Sequence, residues 1–160
     1  MKQNNVVIRA AQEDDLKALL DIIRKTLKYD VKFARRYYER FFDNADEMTE
    51  GDAVYVACVG GQIAGVIGYA RDYLSTDFSY WLGWFAVHDK FRRQKLGSRL
   101  LRRVEKDLKS IGKKKVFVST EDSNTTAKSF YTRHGFRTEG VVRDYYSQGE
   151  DELIMSKDLA

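Results

Sequence analysis

The run Tyr80-Trp81-Leu82-Gly83-Trp84-Phe85-Ala86-Val87-His88-Asp89-Lys90-Phe91-Arg92-Arg93-Gln94-Lys95-Leu96-Gly97-Ser98-Arg99-Leu100-Leu101 decides how the chain folds. Its first part, Tyr80 to Val87, is almost continuously apolar and rich in aromatics, the pattern of a buried strand. Its last part begins a helix predicted from Gly97 to Ile111. Leu100, Leu101, Val104 and Leu108 fall on one helical face, and Gly112 supplies the usual stop. Between the two lies the basic turn Arg92-Arg93-Gln94-Lys95. A helix start presents N–H groups that no helical carbonyl reaches, and the helix dipole adds partial positive charge there. A strand that turns through arginines into such a start makes an anion site suited to a pyrophosphate. Gly97 allows close backbone approach. The turn matches neither G-x-x-x-x-G-K-S/T nor G-x-G-x-x-G, so it is not a P-loop or a dinucleotide fingerprint.

Working outward, Val6 to Arg9 reads as a short strand. Gln12-Glu13-Asp14-Asp15 places acids at a helix start, and Leu16, Leu19, Leu20, Ile23 and Leu27 follow at helical spacing. A second helix is predicted over Val31 to Phe42. Ala53 to Val59 and Gln62 to Arg71 read as strands, with Gly60-Gly61 as a two-residue hairpin turn. Beyond the central helix come a strand over Lys115 to Thr120, a helix over Thr125 to His134 closed by Gly135, and strands over Arg137 to Val142 and Asp151 to Lys157. The pattern predicts an α/β domain of the α+β type, with a mixed, mostly antiparallel sheet and about four helices. The 160 residues suit one domain spanning 1–160.

Composition narrows the class. The chain is 43% hydrophobic and 32% charged, a globular balance. It holds no apolar run long enough to cross a bilayer, so no membrane partner is expected. Met1 to Asn5 is polar and lacks the apolar core of a signal peptide. Cys58 is the only cysteine, which excludes an intrachain disulfide framework. It sits in an apolar strand and reads as a buried structural thiol, and a cytoplasmic location is the expectation. A net charge of +4 is too small to mark a nucleic-acid binder. Its distribution says more. Lys90, Arg92, Arg93, Lys95, Arg99, Arg102 and Arg103 meet no acid between Lys90 and Arg103, and such a cluster attracts a polyanion. Lys113-Lys114-Lys115 reads as a solvated face. His88 reads as a solvated loop residue and His134 as a helix-end residue that suits the dipole. Neither belongs to a metal-ligand cluster, so no metal site is expected. Trp81 and Trp84 read as core.

A second motif gives the first a family context. Asn124-Thr125-Thr126-Ala127-Lys128-Ser129-Phe130-Tyr131-Thr132-Arg133-His134-Gly135-Phe136 resembles the N-x-x-A-x-x-L/F-Y-x-x-x-G-F signature of the GNAT acetyltransferase superfamily. The stretch Arg92 to Gly97 resembles that family's Q/R-x-x-G-x-G/A motif, with Lys95 standing where the first glycine is usual. If the turn needs positive φ there, lysine must adopt it. Val142-Arg143-Asp144-Tyr145-Tyr146 and Glu150-Asp151-Glu152-Leu153-Ile154-Met155 look like the ending of amino-terminal acetyltransferases, the branch that includes the ribosomal-protein alanine enzymes.

The resemblance implies a GNAT fold whose sheet splays apart at the cofactor site, and acetyl-coenzyme A as cosubstrate. Phe85, Ala86 and Val87 would line the pantetheine arm through backbone groups. Arg92, Arg93, Gln94, Lys95, Leu96, Gly97 and Ser98 would hold the pyrophosphate. Asn124 would contact the cofactor arm. Tyr131 would protonate the leaving thiolate, and the backbone N–H of Val87 would stabilise the oxyanion. Tyr145 and Tyr146 are candidates for lining the acceptor site.

The acceptor amine must lose a proton before it attacks. The related alanine acetyltransferases carry a glutamate at the position held here by Ser119. Glu121 lies two residues on, hence on the same strand face, and is the candidate base. Asp122 or an ordered water are alternatives. The expected reaction is acetyl transfer to a primary amine, most simply a protein amino terminus. A small amine (a polyamine, an amino acid or an aminoglycoside) and a non-catalytic acetyl-coenzyme A sensor are the other readings. The loop Arg71 to Ser79 offers Asp72 and Asp77 toward a polyamine. The protein is expected as a monomer or homodimer.

Overall fold

Alternation along each strand assigns every side chain to one of two layers. The computed structural model describes residues 5–27, 31–43, 51–71 and 78–159. Among these, seven strands form one sheet: Val6–Ala10 (β1), Ala53–Val59 (β2), Gln62–Arg71 (β3), Ser79–Val87 (β4), Lys115–Glu121 (β5), Arg137–Ser147 (β6) and Glu150–Asp158 (β7). The order is β1-β2-β3-β4-β5-β7-β6. Every neighbouring pair is antiparallel except β4 and β5, which run parallel. Four α-helices complete the described residues: Leu16–Thr26 (α1), Val31–Asp43 (α2), Leu96–Ser110 (α3) and Thr125–Arg133 (α4). Met1 to Asn4, Asp72 and Asp77 lie outside the described residues.

The two faces of the sheet carry separate cores. Tyr55, Ala57, Ile67, Leu82, Val116, Val118, Leu153 and Met155 pack against Leu96, Leu100, Leu101, Val104 and Leu108 of α3 and Tyr131 of α4. The alternate residues Val54, Val56, Val66 and Ala86 pack against Leu19, Leu20, Ile22 and Ile23 of α1 and Ala34 and Tyr38 of α2. A period of two in the strands therefore feeds both layers. Gly60 and Gly61 both have positive φ, as the predicted hairpin turn requires. Cys58 is half-buried on the α1–α2 face, less enclosed than expected.

Two irregularities shape the middle of the sheet. β4 and β5 pair only at Ser79↔Lys115, Tyr80↔Val116 and Trp81↔Phe117. Beyond Trp81 the strands part, although β4 runs on to Val87 and β5 to Glu121. On its other edge β4 carries a bulge: Ile67 of β3 stands opposite both Trp84 and Phe85, between the pairs Gly68↔Gly83 and Val66↔Ala86. Trp84 takes a left-handed φ of 50° there. An extra residue bends the strand and sharpens its twist, which carries β4 away from β5.

The last hairpin is longer than predicted. β6 continues past Val142 to Ser147 because Val142↔Glu152 and Ser147↔Glu150 enclose four residues on β6 against one on β7. Asp144 absorbs the bend with a φ of 52°. Its N–H donates to Asp151 at 2.9 Å, and its carboxylate accepts the Gly149 N–H.

The first helix is anchored by charge. The turn Glu13–Asp15 precedes α1, and the Asp15 carboxylate accepts the Gln12 N–H at 2.8 Å and both Arg9 guanidinium nitrogens at 2.6 and 2.9 Å. Asp15 is only 7% exposed. The Arg9 hydrogen bonds hold its carboxyl below the usual carboxylate range. A depressed folded value stabilises the fold at pH above the unfolded value, and this is lost as pH falls through the folded one. Asp15→Asn should therefore cost about 2 kcal/mol at pH 7 by chemical denaturation. The gap to the parent protein should begin to narrow below about pH 4 and close only as pH falls through the lower folded value.

Candidate active site

The parting of β4 from β5 opens a passage between the two faces of the sheet. On the β5-facing edge of β4, the backbone from Leu82 to Val87 has no strand partner among the described residues. Phe85, Ala86 and Val87 lie along this edge. Phe85 points toward α4, where its ring packs edge-on against Phe130 at 5.4 Å.

The basic turn begins where β4 ends. His88 closes it locally, its Nδ1 accepting the Lys90 N–H at 3.2 Å, and is only half-exposed. The expected unopposed cluster is partly offset: Arg92 pairs with Asp89 at 2.7 Å, just outside the stretch read as free of acids. Arg93 and Lys95 take φ of 63° and 58° on either side of Gln94. Alternation of backbone hand lets successive N–H groups converge on an anion. Lys95 is the residue immediately before α3, and no side chain caps that end. Leu96 is buried and starts the helix one residue earlier than predicted. Its apolar side chain belongs to the core, while its N–H and those of Gly97 and Ser98 face the turn as helix-start donors.

Two contacts in this region were not legible in the sequence. A Cβ on Gly97 would come within 3.3 Å of Phe130 and 3.5 Å of Phe85. The glycine thus lets α3 pack against α4 and β4, besides any approach to a ligand. Ser98 Oγ lies 2.8 Å from His134 Nε2, while His134 Nδ1 lies 2.7 Å from the Phe130 carbonyl. A carbonyl only accepts, so Nδ1 donates to it, and in the neutral ring Nε2 accepts from the serine. His134 is therefore more than a helix-end residue: it ties the start of α3 to the end of α4. Position alone could not reveal this, because the two residues are 36 apart.

Asn124 caps α4, its side-chain oxygen accepting the Ala127 N–H at 3.0 Å. It thereby sets the helix that bears Tyr131. Tyr131 is buried among Phe85, Phe130 and Phe136, with ring centres 5.3–6.2 Å away. Burial pushes its phenol well above the ordinary tyrosine range, so it holds its proton throughout the neutral range.

The carboxylates lie on the opposite face. Val116 and Val118 point toward α3, so Phe117, Ser119 and Glu121 point the other way. Glu121 stands directly opposite Glu152 of β7. Asp122, the alternative to Glu121, is paired with Lys128 at 2.7 Å. Of the two tyrosines, Tyr146 is the one brought to this group: its hydroxyl donates to Glu152 Oε1 at 3.3 Å. Tyr145 packs edge-on against it and is 58% exposed. Glu152 was missed from sequence, although a charge flanked by Leu153 in an apolar strand is a signal of its own. Among the described residues no cluster of potential metal ligands occurs, and no helix is long and apolar enough to cross a membrane.

Residues 16–136 match the model of the Acetyltransferase (GNAT) family. The chain belongs to that family. As a GNAT member it is an acyltransferase of the N-acetyltransferase class. It is 25% identical to an N-alpha-acetyltransferase of Saccharolobus solfataricus over 99% of this chain and 96% of that protein. It is 33% identical to one from Sulfurisphaera tokodaii over 75 residues, which span 46% of this chain and 45% of that relative. Solved structures share the fold of this GNAT chain. An acetyltransferase assigned to the GNAT family, from Desulfovibrio desulfuricans, has a TM-score of 0.88 at 22% identity, covering 98% of this chain and 100% of that one. The ribosomal-protein-S18-alanine N-acetyltransferase of Escherichia coli has 0.81 at 21%, covering 98% and 95%. An aminoglycoside 6'-N-acetyltransferase complexed with coenzyme A has 0.77 at 19%, covering 96% and 97%.

The left-handed lysine yields a test of the turn. Removing its Cβ relieves strain of about 1–2 kcal/mol, of which the extra freedom of an unfolded glycine takes back about 0.5–1 kcal/mol. Lys95→Gly should raise the unfolding free energy by about 0.5 kcal/mol, and Lys95→Val should lower it by more than about 1 kcal/mol. Urea denaturation of the two variants checks both signs.

Proposed function

We propose that this GNAT enzyme transfers the acetyl group of acetyl-coenzyme A to a primary amine, and that the amine is the α-amino group of a protein amino terminus. The observation that carries the reading is the passage between β4 and β5, with a proton donor on one side and carboxylates on the other. Relatives named N-alpha-acetyltransferase at 25–33% identity support the choice of an α-amine. The solved neighbour that holds coenzyme A supports the cosubstrate.

In this reading the pyrophosphate sits on the N–H groups at the start of α3, among Arg92, Arg93 and Lys95. Gln94, Leu96, Gly97 and Ser98 contribute backbone. The pantetheine arm runs along the free edge of Phe85, Ala86 and Val87, and the thioester reaches the passage. The acceptor arrives from the α1–α2 face. Its nitrogen, once neutral, attacks the thioester carbonyl, and the Val87 N–H takes the developing oxyanion. As the tetrahedral adduct collapses, the C–S bond breaks and its electrons stay on sulfur. Tyr131 passes its proton to that thiolate, and the amine's surplus proton goes to a carboxylate on the acceptor face. Solvent then restores both groups, so no enzyme-bound acyl intermediate is required. Glu121 is the β5 candidate for the base, and β7 sets Glu152 opposite it. An α-amine has a pKa near 8 and gives up its proton more readily than a lysine side chain at about 10.4.

The test is release of free thiol from acetyl-coenzyme A with a panel of acceptors: peptides with different first residues, amino-blocked controls, polyamines and aminoglycosides. Turnover of free-amino peptides, with blocked peptides inert, is expected. Turnover of the small amines alone would move the acceptor class. Coenzyme A binding without turnover of any amine would make the protein a sensor. Tyr131→Phe should lower kcat by about 10²-fold while coenzyme A affinity holds. Because burial raises the Tyr131 phenol, the parent enzyme should show no fall in kcat from its ionisation up to pH 9.5.

A further inference from the structure

We propose that Glu152, held by Tyr146, is the base that takes the proton of the acceptor amine, in place of Glu121. The assignment rests on the acyl-transfer reading above and names a residue within it.

The geometry is set by two strands and a bulge. On β5 the face toward the acceptor carries Phe117, Ser119 and Glu121. On β7 it carries Glu152 and Ile154, with Ser119 opposite Ile154 and Glu121 opposite Glu152. Directly opposed Cβ atoms lie about 5 Å apart and diagonal ones about 7–8 Å. Glu152 is therefore a diagonal neighbour of Ser119, within reach of the same space. The two acids differ in enclosure. Glu152 is 8% exposed, while Glu121, at the last residue of β5, is half-exposed. They differ also in orientation. The Tyr146 hydroxyl donates to Glu152 Oε1 at 3.3 Å, which engages that oxygen and leaves Oε2, with no hydrogen-bond partner among the described residues, for the amine.

Tyr146 is delivered for this task by the four-against-one bulge of β6. With one residue opposite Asp151 instead of four, the plain β6–β7 register would set the side chains; with three extra, Tyr146 reaches Glu152. Burial and the Glu152 charge hold its phenol above the ordinary range, so it stays a donor. A base oriented by a third group is the arrangement that general-base catalysis calls for. Among the described residues, the titratable groups set against Glu152 are Tyr146 from β6 and Glu121 from β5. The step balances: the ammonium loses one proton to Glu152 Oε2, the neutral nitrogen forms the N–C bond, the C–S bond breaks, the thiolate takes the Tyr131 proton, and the second proton of the adduct nitrogen returns through solvent to the Tyr131 oxygen.

The experiment measures kcat/KM for a turned-over peptide between pH 6.5 and 9.5, with coenzyme A affinity measured alongside by calorimetry. Glu152→Gln should lose about 10²-fold at pH 7. The deficit should shrink to below about 10-fold at pH 9.5, where an amine of pKa about 8 is already neutral. Coenzyme A affinity should hold. Glu121→Gln should lose less, by the same factor at both pH values. As a positioning residue Tyr146 should act on kcat: Tyr146→Phe should lower it by about 5-fold with the KM for acetyl-coenzyme A unchanged. A Glu152→Gln enzyme with parental activity, a loss equal at all pH values, or the pH-dependent loss appearing in Glu121→Gln instead would each overturn the assignment. If Glu152→Gln melts below the assay temperature, Glu152→Asp decides. Its shortened carboxylate should cost about 10-fold in kcat and keep the parental pH profile, and an unchanged kcat overturns the proposal. A parent enzyme that turns over no amine would sink the acyl-transfer reading itself, a result distinct from an active parent matched by an equally active Glu152→Gln.

Discussion

Two parallel strands that pair for three residues and then separate leave a row of backbone groups without a strand partner among the described residues, in the middle of a sheet. Such groups cost free energy unless water or a ligand meets them. In this protein the bulge at Trp84 and Phe85 maintains the separation, and the hydrophobic packing on both sides keeps the bulge in place. Trp84 sits with Tyr37 and Tyr38 of α2, ring centres 6.2 and 6.4 Å away, while Phe85 packs on Phe130 of α4. Successive residues of one strand are thus anchored in opposite cores. The left-handed backbone at Trp84 persists because two layers hold its neighbours.

The passage divides the chemistry by charge. Positive charge and helix-start N–H groups gather at the start of α3, and carboxylates gather across the sheet on β5 and β7. Tyr131 belongs to the first side and is kept neutral by burial. A reaction that needs one proton removed and another supplied is served by groups that a sheet keeps apart. The contact of Gly97 with Phe130 and the Ser98–His134 hydrogen bond make the start of α3 and the whole of α4 one packed unit. The start of α3 and Tyr131 therefore hold a set distance.

Much of this was legible in the residues. The apolar run Tyr80 to Val87, the leucines of α3 and the paired glycines at 60 and 61 each encode a local structure through a short-range rule. The basic turn was legible for the same reason, since charge and helix start are adjacent in the chain. The Arg92–Asp89 pair was not anticipated because the acid lies just outside the stretch that defined the cluster. Lys95 was readable as a departure from the glycine of the motif. That it takes the left-handed conformation anyway shows the turn imposing its shape on the residue. The strand β6 was predicted too short, because a bulge consumes residues without leaving a periodic pattern.

The residues alone determined that the chain builds a mixed sheet with helices on its faces and a basic turn ahead of the uncapped start of α3. These follow from periodicity, turn chemistry and the free N–H groups of a helix end, all local in sequence. Tertiary structure decided which carboxylates meet. Glu121 and Glu152 are brought opposite each other by the β5–β7 register, and Tyr146 joins them only through a bulge held by Asp144 and Asp151. It also decided that Ser98 and His134 touch. Pairings of this kind depend on strand register and on how two helices cross, and those are settled by the packing of the whole core.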